Sequence, residues 1–233
     1  MDVWIDDVST LLVLPQDVML SGVSISAVRR VMDESLFSDP GLLYATRDMS
    51  GNRRAEFMAG RICAARSLRK MGVVAAFPLP GRNRQPVWPT GVLGSISHCS
   101  TTAVAVATAQ SRYCALGVDV EPLIGPAIAQ QIQRSICRDE ELIGLERSVP
   151  GRKLALTLLF SAKEALFKAL FPQVGGFKDF YAAEFFACEA RSLVLRLTQD
   201  WNSQWLAGKK VKVRYAWRGE DVFSAVYLSR TGN

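Results

Sequence analysis

Residues 115–122 read ALGVDVEP, and the way this stretch alternates decides how the chain is built. Small and β-branched residues in succession favour a strand. Neighbouring strand side chains point to opposite faces. Val118 and Val120 therefore point into a core, whereas Asp119 and Glu121 point together to the other face, where Gly117 leaves room beside them. Two carboxylates this close repel unless something positive sits between them. A hard divalent cation is one solution, and plain solvation at a strand end is the other.

Working outward, more strands flank this one. VLGSIS (92–97) and TAVAVAT (102–108) precede it. KVKVRYAW (210–217) alternates strictly, and VFSAVYL (222–228) follows a turn containing Gly219. Helical patterns lie between and before them, at 24–37, 53–71, 126–136, 139–146 and 153–171. In the second of these Phe57, Ala64, Leu68 and Met71 form the apolar stripe, and Gly72 is placed to cap the end. Asp39-Pro40-Gly41 reads as a break, and Pro78 to Gly91 as a Pro/Gly-punctuated loop. The pattern is α+β, with a seam near Gln110–Tyr113 that divides the chain into residues 1–112 and 113–233.

Composition narrows the function classes. The 233 residues are 49% hydrophobic and 21% charged, as in globular proteins, and are long enough to bury a core. No uncharged apolar run nears the roughly 20 residues that span a bilayer. The opening MDVWIDD is acidic where a signal peptide is basic. Five cysteines without CxxC spacing argue against a disulfide framework or a zinc site, and fit a reducing cytoplasm. With His98 the single histidine, any metal must be held largely by oxygen, which favours magnesium or calcium. The net charge of +6 is concentrated: Arg47 to Arg84 carries nine basic and two acidic residues. Phosphate groups or an acidic partner suit such a segment, as does a simply solvated helix face.

Two further clusters can carry chemistry. In FSAKEALFKAL (160–170), Glu164 and Lys168 are i,i+4 and share a face, with Lys163 beside them. An exposed Glu–Lys pair is the ordinary reason for this spacing. Here the helix is apolar on most sides, so its few charges need partners, which a cleft holding a metal and a phosphate would supply. In GSISHC (94–99), a strand leads to His98 among Ser95 and Ser97, all able to donate to phosphate; a histidine simply satisfied at a strand end fits equally. Arg54 and Arg61 lie two helical turns, ~10 Å, apart on one face, with Arg53 beside it. Two such arginines can hold different phosphates of one ligand.

The pieces occur in one order: RRAEFMAGR (53–61), RNRQPVWPTGVLGSISH (82–98), GVDVEP (117–122) and FSAKEALFKA (160–169). This order resembles the Sfp-type 4′-phosphopantetheinyl transferases, in their EntD-like branch. The resemblance implies an α+β fold made as a pseudodimer of two similar α/β subdomains, with coenzyme A and Mg²⁺ at their junction. It implies transfer of phosphopantetheine from coenzyme A to a serine of an acyl or peptidyl carrier protein, with 3′,5′-ADP leaving, in siderophore or other secondary metabolism. By position, Asp119, Glu121 and Glu164 would hold the metal, and Lys168 would contact the coenzyme A phosphates. His98, with Ser97 beside it, would hold a phosphate, and Arg53 and Arg61 would match the basic coenzyme A-binding positions, Arg54 being the alternative to Arg53. Phe160 stands where many relatives have Trp, a structural position. Glu164 is the candidate base for the serine hydroxyl, directly or through water, and a metal-bound hydroxide is the other candidate. A monomer is expected, because a pseudodimer builds its own site.

Two other readings stand beside this one. Another coenzyme A-dependent acyltransferase would share the basic patch but would need no three carboxylates. A nucleic-acid-binding protein would suit the pI of 9.2, but zinc-finger ligands and RNA-recognition aromatics are missing.

Overall fold

The computed structural model describes residues 12–32, 39–74, 77–82 and 84–230. The opening heptapeptide and residues 33–37 of the first expected helix lie outside these residues. The chain forms two compact units. One runs to Leu116 and resumes at Leu228, and the other is Gly117–Tyr227.

The first unit contains β1 (Met19–Ser24), α1 (Ile25–Met32), α2 (Pro40–Thr46), α3 (Gly51–Lys70), β2 (Val92–His98) and β3 (Thr102–Ala109). Its antiparallel sheet has the order β1-β3-β2, with Ala105 of β3 opposite Ser21 on one side and Ile96 on the other. Small residues along β3 let α3 lie close on the sheet. Cys63 donates through Sγ to the Ala103 carbonyl at 3.3 Å, and Ser67 donates through Oγ to that of Ala105 at 3.0 Å. Gly60 sits so near β2 that a Cβ there would stand 2.8 Å from Ile96 Cγ2. α3 ends as expected at Gly72 (φ +76°), where Gly72 N–H bonds Arg69 O and Val73 N–H bonds Leu68 O, the Schellman pattern.

Asp39-Pro40-Gly41 starts a helix where the sequence suggested only a break. Asp39 Oδ1 accepts from Leu42 N at 2.9 Å, and Pro40 takes the first helical position, where its missing N–H costs nothing. The loop after α3 folds back on itself through a Pro80–Pro86 bridge. Its Trp88 packs on β2 where only a glycine fits: a Cβ on Gly94 would be 2.4 Å from the indole.

The chain enters the second unit within β4 (Tyr113–Pro122). There follow α4 (Pro126–Ile136), α5 (Asp139–Glu146), α6 (Arg152–Val174), a 3₁₀ turn (Phe180–Ala182), β5 (Ala183–Glu189), β6 (Ser192–Leu197), β7 (Lys210–Arg218) and β8 (Asp221–Ser229). The sheet order is β4-β8-β7-β6-β5. α6 outruns its expected end by one turn and stops at Gly175, which takes a left-handed φ of +68°. It is buried through Ala162, Ala165, Leu166, Ala169 and Leu170. Each unit thus sets one long helix on a largely antiparallel sheet, and the fold is the α+β pair of similar subdomains expected. Among the described residues no helix is long and apolar enough to cross a membrane.

Candidate functional site

In the first unit, α3 and β2 wall a cleft of about 520 Å³. Arg53, Phe57, Gly60 and Arg61 line it from α3, at helical offsets of 4, 7 and 8 that share one face. Ile96 and His98 line it from alternate positions of β2, and Arg84 lines it from the preceding loop. Arg53 donates through Nη1 to His98 Nε2 at 2.8 Å. A guanidinium cannot accept, so this nitrogen is the unprotonated one. Glu56 Oε2 stands 3.4 Å from the same Nη1 and 3.9 Å from His98 Nδ1.

Arg61 is only 6% exposed, with its guanidinium 4.4 Å above the Phe57 ring. Among the described residues its Nε finds no hydrogen-bond partner. Burial, and then the like charge of Arg53, push its pKa down to about 10. A buried cation in this state is suited to receive an anion.

The neighbouring arginines divide the expected roles. Arg54 donates through Nε and Nη2 to the Thr46 carbonyl at 3.3 and 3.1 Å, and so closes the end of α2. Arg53, not Arg54, faces the cleft. Ser97 is buried on the face of β2 opposite Ile96 and His98, and its side chain does not line the cleft. Arg84 does, from a left-handed backbone (φ +63°), whereas Arg82 is exposed elsewhere.

In the second unit, Asp119 is 1% exposed, where the sequence alternation put it on a face turned from the core. The cause is Gly117. A Cβ there would lie 2.2 Å from Ala165 O and 2.6 Å from Ala169 N, so the missing side chain lets the α6 backbone rest on β4. The same contact brings Glu164 and Lys168, one turn apart, towards Asp119 and Glu121. Lys168 Nζ donates to Asp119 Oδ1 at 2.6 Å. Glu121 is pushed up to about 8, first by burial and then by the charge of Asp119; Glu164 and Asp221 add to the effect and Lys168 opposes it. Glu164 is also raised, by burial above all, with Lys168 holding it down and Asp119 pushing it up.

Asp119, Glu121 and Glu164 therefore share one partly buried field, with the Lys168 ammonium beside Asp119. Among the described residues no three His, Cys, Asp or Glu side chains form a ready metal cluster, and Lys168 is the cation that Asp119 meets. The donor chemistry still fits magnesium: hard carboxylate oxygens, withdrawn from water and mutually repelling.

Lys163 stands apart from this group. It is 3% exposed and pairs with Glu141 at 3.0 Å. Burial lowers its pKa, and the charge of Glu141 counters that. Its partner is thus a protein carboxylate and not the cleft expected from sequence. Phe160 packs on Phe180 with ring centroids 5.4 Å apart, a structural place. Sequence reasoning missed Glu56, Glu141 and Asp221. Glu56, one turn from Arg53, carried a readable signal; the other two gain their neighbours only through the fold.

Comparison with known proteins matches both units. A model of the 4′-phosphopantetheinyl transferase N-terminal domain matches residues 44–108, which include Arg53, Arg61, Ser97 and His98. A model of the 4′-phosphopantetheinyl transferase superfamily matches residues 115–221, which include Asp119, Glu121, Glu164 and Lys168. Enterobactin synthase component D of Salmonella typhi is 36% identical over 199 residues, 83% of this chain and 82% of that protein. The protein of the same name from Escherichia coli K12 is 40% identical over 154 residues, 64% and 72% of the two chains. The 4′-phosphopantetheinyl transferase PptT of Mycobacterium tuberculosis is 34% identical over 130 residues, 54% and 56% of the two.

Proposed function

Because this chain belongs to the 4′-phosphopantetheinyl transferase superfamily, we propose that it moves 4′-phosphopantetheine from coenzyme A to a serine of an apo acyl or peptidyl carrier protein, releasing 3′,5′-ADP. The likeness to enterobactin synthase component D supports carriers of siderophore or related secondary-metabolite synthetases. One observation carries the reading: Asp119, Glu121 and Glu164 crowd together beside Lys168. Simple acyl transfer has no need of such a group, whereas phosphoryl-type transfer needs charge neutralisation above all.

In the first unit, Arg53, Arg61 and His98 bind phosphate of coenzyme A, the 3′-phosphate in particular. The buried Arg61 Nε, without a hydrogen-bond partner among the described residues, supports that role. In the second unit, Asp119, Glu121 and Glu164 are the residues that would hold Mg²⁺, which would supply neutralisation of pyrophosphate charge. Lys168 leaves Asp119 for a pyrophosphate oxygen. The serine Oγ forms a bond to the β-phosphorus, the anhydride bond to 3′,5′-ADP breaks, and the hydroxyl proton passes to Glu164. Burial raises the pKa of the Glu164 carboxyl, which supports it as acceptor of that proton, directly or through water. The enzyme works as a cytoplasmic monomer, a setting its five free cysteines suit.

The test is the intact mass of an apo carrier incubated with the protein, coenzyme A and Mg²⁺. The carrier gains one phosphopantetheine, and the gain disappears with EDTA or when the acceptor serine is alanine. Asp119→Asn and Glu164→Gln each slow the transfer by roughly 100-fold or more without unfolding the chain. A carrier left unmodified while coenzyme A still binds would favour acyl-transfer chemistry instead.

A further inference from the structure

A lysine placed directly before a carboxylate that serves a phosphate-handling site invites the role of a second phosphate ligand. The surroundings of Lys163 exclude it. An ammonium has three hydrogens to donate. Those of Lys163 meet Ile136 O at 2.9 Å, Phe180 O at 3.0 Å and the Glu141 carboxylate at 3.0 Å, with the side chain 2% exposed. None is left for a ligand. Glu141 is as fully engaged: Oε1 also accepts from Arg138 N at 3.2 Å, and Oε2 from Phe185 N at 2.8 Å. One ion pair therefore ties α6 to the end of α4, the start of α5, the 3₁₀ turn and β5.

The angular order around α6 gives the clamp a consequence. At about 100° per residue, Glu164 lies roughly 100° from Lys163 and Lys168 roughly 140° from it. Ala165 and Ala169, which rest on Gly117 of β4, lie roughly 200° and 240° round. The helix is gripped on one side by the Lys163–Glu141 pair and on the far side by the backbone contact at Gly117. Glu164 and Lys168 occupy the sector between the two grips.

We propose that Lys163 is a positioning residue, paired with Glu141 to fix the rotation of α6 that presents Glu164 and Lys168 to Asp119, and that it does not contact coenzyme A. The inference rests on the transferase reading, so wild-type turnover is established first by the carrier mass assay, and the two readings fail separately.

The experiment compares Lys163→Met, Lys163→Arg, Glu141→Gln and the double variant Lys163→Met/Glu141→Leu. Steady-state kinetics are run at a temperature where circular dichroism shows each to be folded, with coenzyme A affinity measured by calorimetry. Removing one member of a buried pair lowers Tm by roughly 10 °C, and replacing both by apolar groups restores it. Lys163→Met and Glu141→Gln each lower kcat by about tenfold or more, and any change in the Kd for coenzyme A, through the displaced Lys168, is the same in both within about twofold. Lys163→Arg, whose planar fork does not fit three separate acceptors, does not rescue, and the double variant recovers most of the kcat. If Lys163→Met fails to fold, Glu141→Gln and the double variant carry the same comparison. A tenfold weaker Kd in Lys163→Met with Glu141→Gln silent would make Lys163 a phosphate ligand. An unchanged kcat in the folded variants would make it a strut only. Either result overturns the proposal.

Discussion

Arg53 and Arg54 adjoin on α3 and end in different surroundings. Arg53 reaches His98 across the cleft, while Arg54 is spent on the Thr46 carbonyl. Their substitutions therefore separate. A hydrogen bond to a charged group contributes about 1.5–3 kcal/mol, so Arg53→Ala raises the KM for coenzyme A about tenfold or more and leaves Tm almost unchanged. Arg54→Ala does the reverse: steady-state kinetics show an unaltered KM, and thermal unfolding shows a Tm lower by about 2–4 °C, the equivalent of roughly 1 kcal/mol. Sequence could bring both arginines to the right place but could not choose between them. Adjacent helical positions differ by about 100°, and the group that decides, a carbonyl at the end of α2, belongs to a helix the sequence did not reveal. Spacing paired Asp119 with Glu121 and Glu164 with Lys168, but only the family resemblance joined the two pairs. The burial of Asp119 was not, because strand alternation assigns a face without saying what covers it.

Among the elements, the contact of α6 with β4 matters most, and it depends on Gly117. A methyl group there meets backbone atoms of Ala165 and Ala169, which cannot turn away as a side chain could. Overpacking of this kind costs about 1–3 kcal/mol. Gly117→Ala therefore lowers Tm by several degrees. It lowers kcat by about tenfold or more, because Glu164 and Lys168 ride on the displaced helix, which steady-state kinetics check. The long helices and the alternating strands β7 and β8 were readable because their periods run for several turns or residues. β5 and β6 were not delimited. The bulge between Phe185 and Ala187 breaks the alternation of β5, and the leucines of β6 suit a helix as well as a strand. α2, at seven residues, is too short to show a period, and only its Asp39-Pro40 start carried a signal.

For the whole molecule, charge and chain path matter most. The basic excess read between Arg47 and Arg84 is divided by the fold: Arg53, Arg61 and Arg84 face the cleft, Arg54 closes a helix, Arg69 is exposed at the end of α3, and Lys70 donates through Nζ to the Leu20 carbonyl of β1 at 2.6 Å. On the proposed binding of one anionic ligand by several of these cations, salt weakens the contact by screening. Raising ionic strength from about 0.05 to 0.5 M increases the KM for coenzyme A several-fold and changes kcat little; an insensitive KM would count against phosphate binding by these residues. The path of the chain has a different consequence. After the second unit is complete, Leu228 to Arg230 return to the first: Arg230 N–H bonds Arg112 O at 2.9 Å, and its Nε bonds Gln110 O at 2.7 Å. The unit that leaves the ribosome first is therefore the last to be finished. Its early segments wait with an open seam until synthesis has passed residue 230, so a stall late in translation would strand the N-terminal half, not the half still being made.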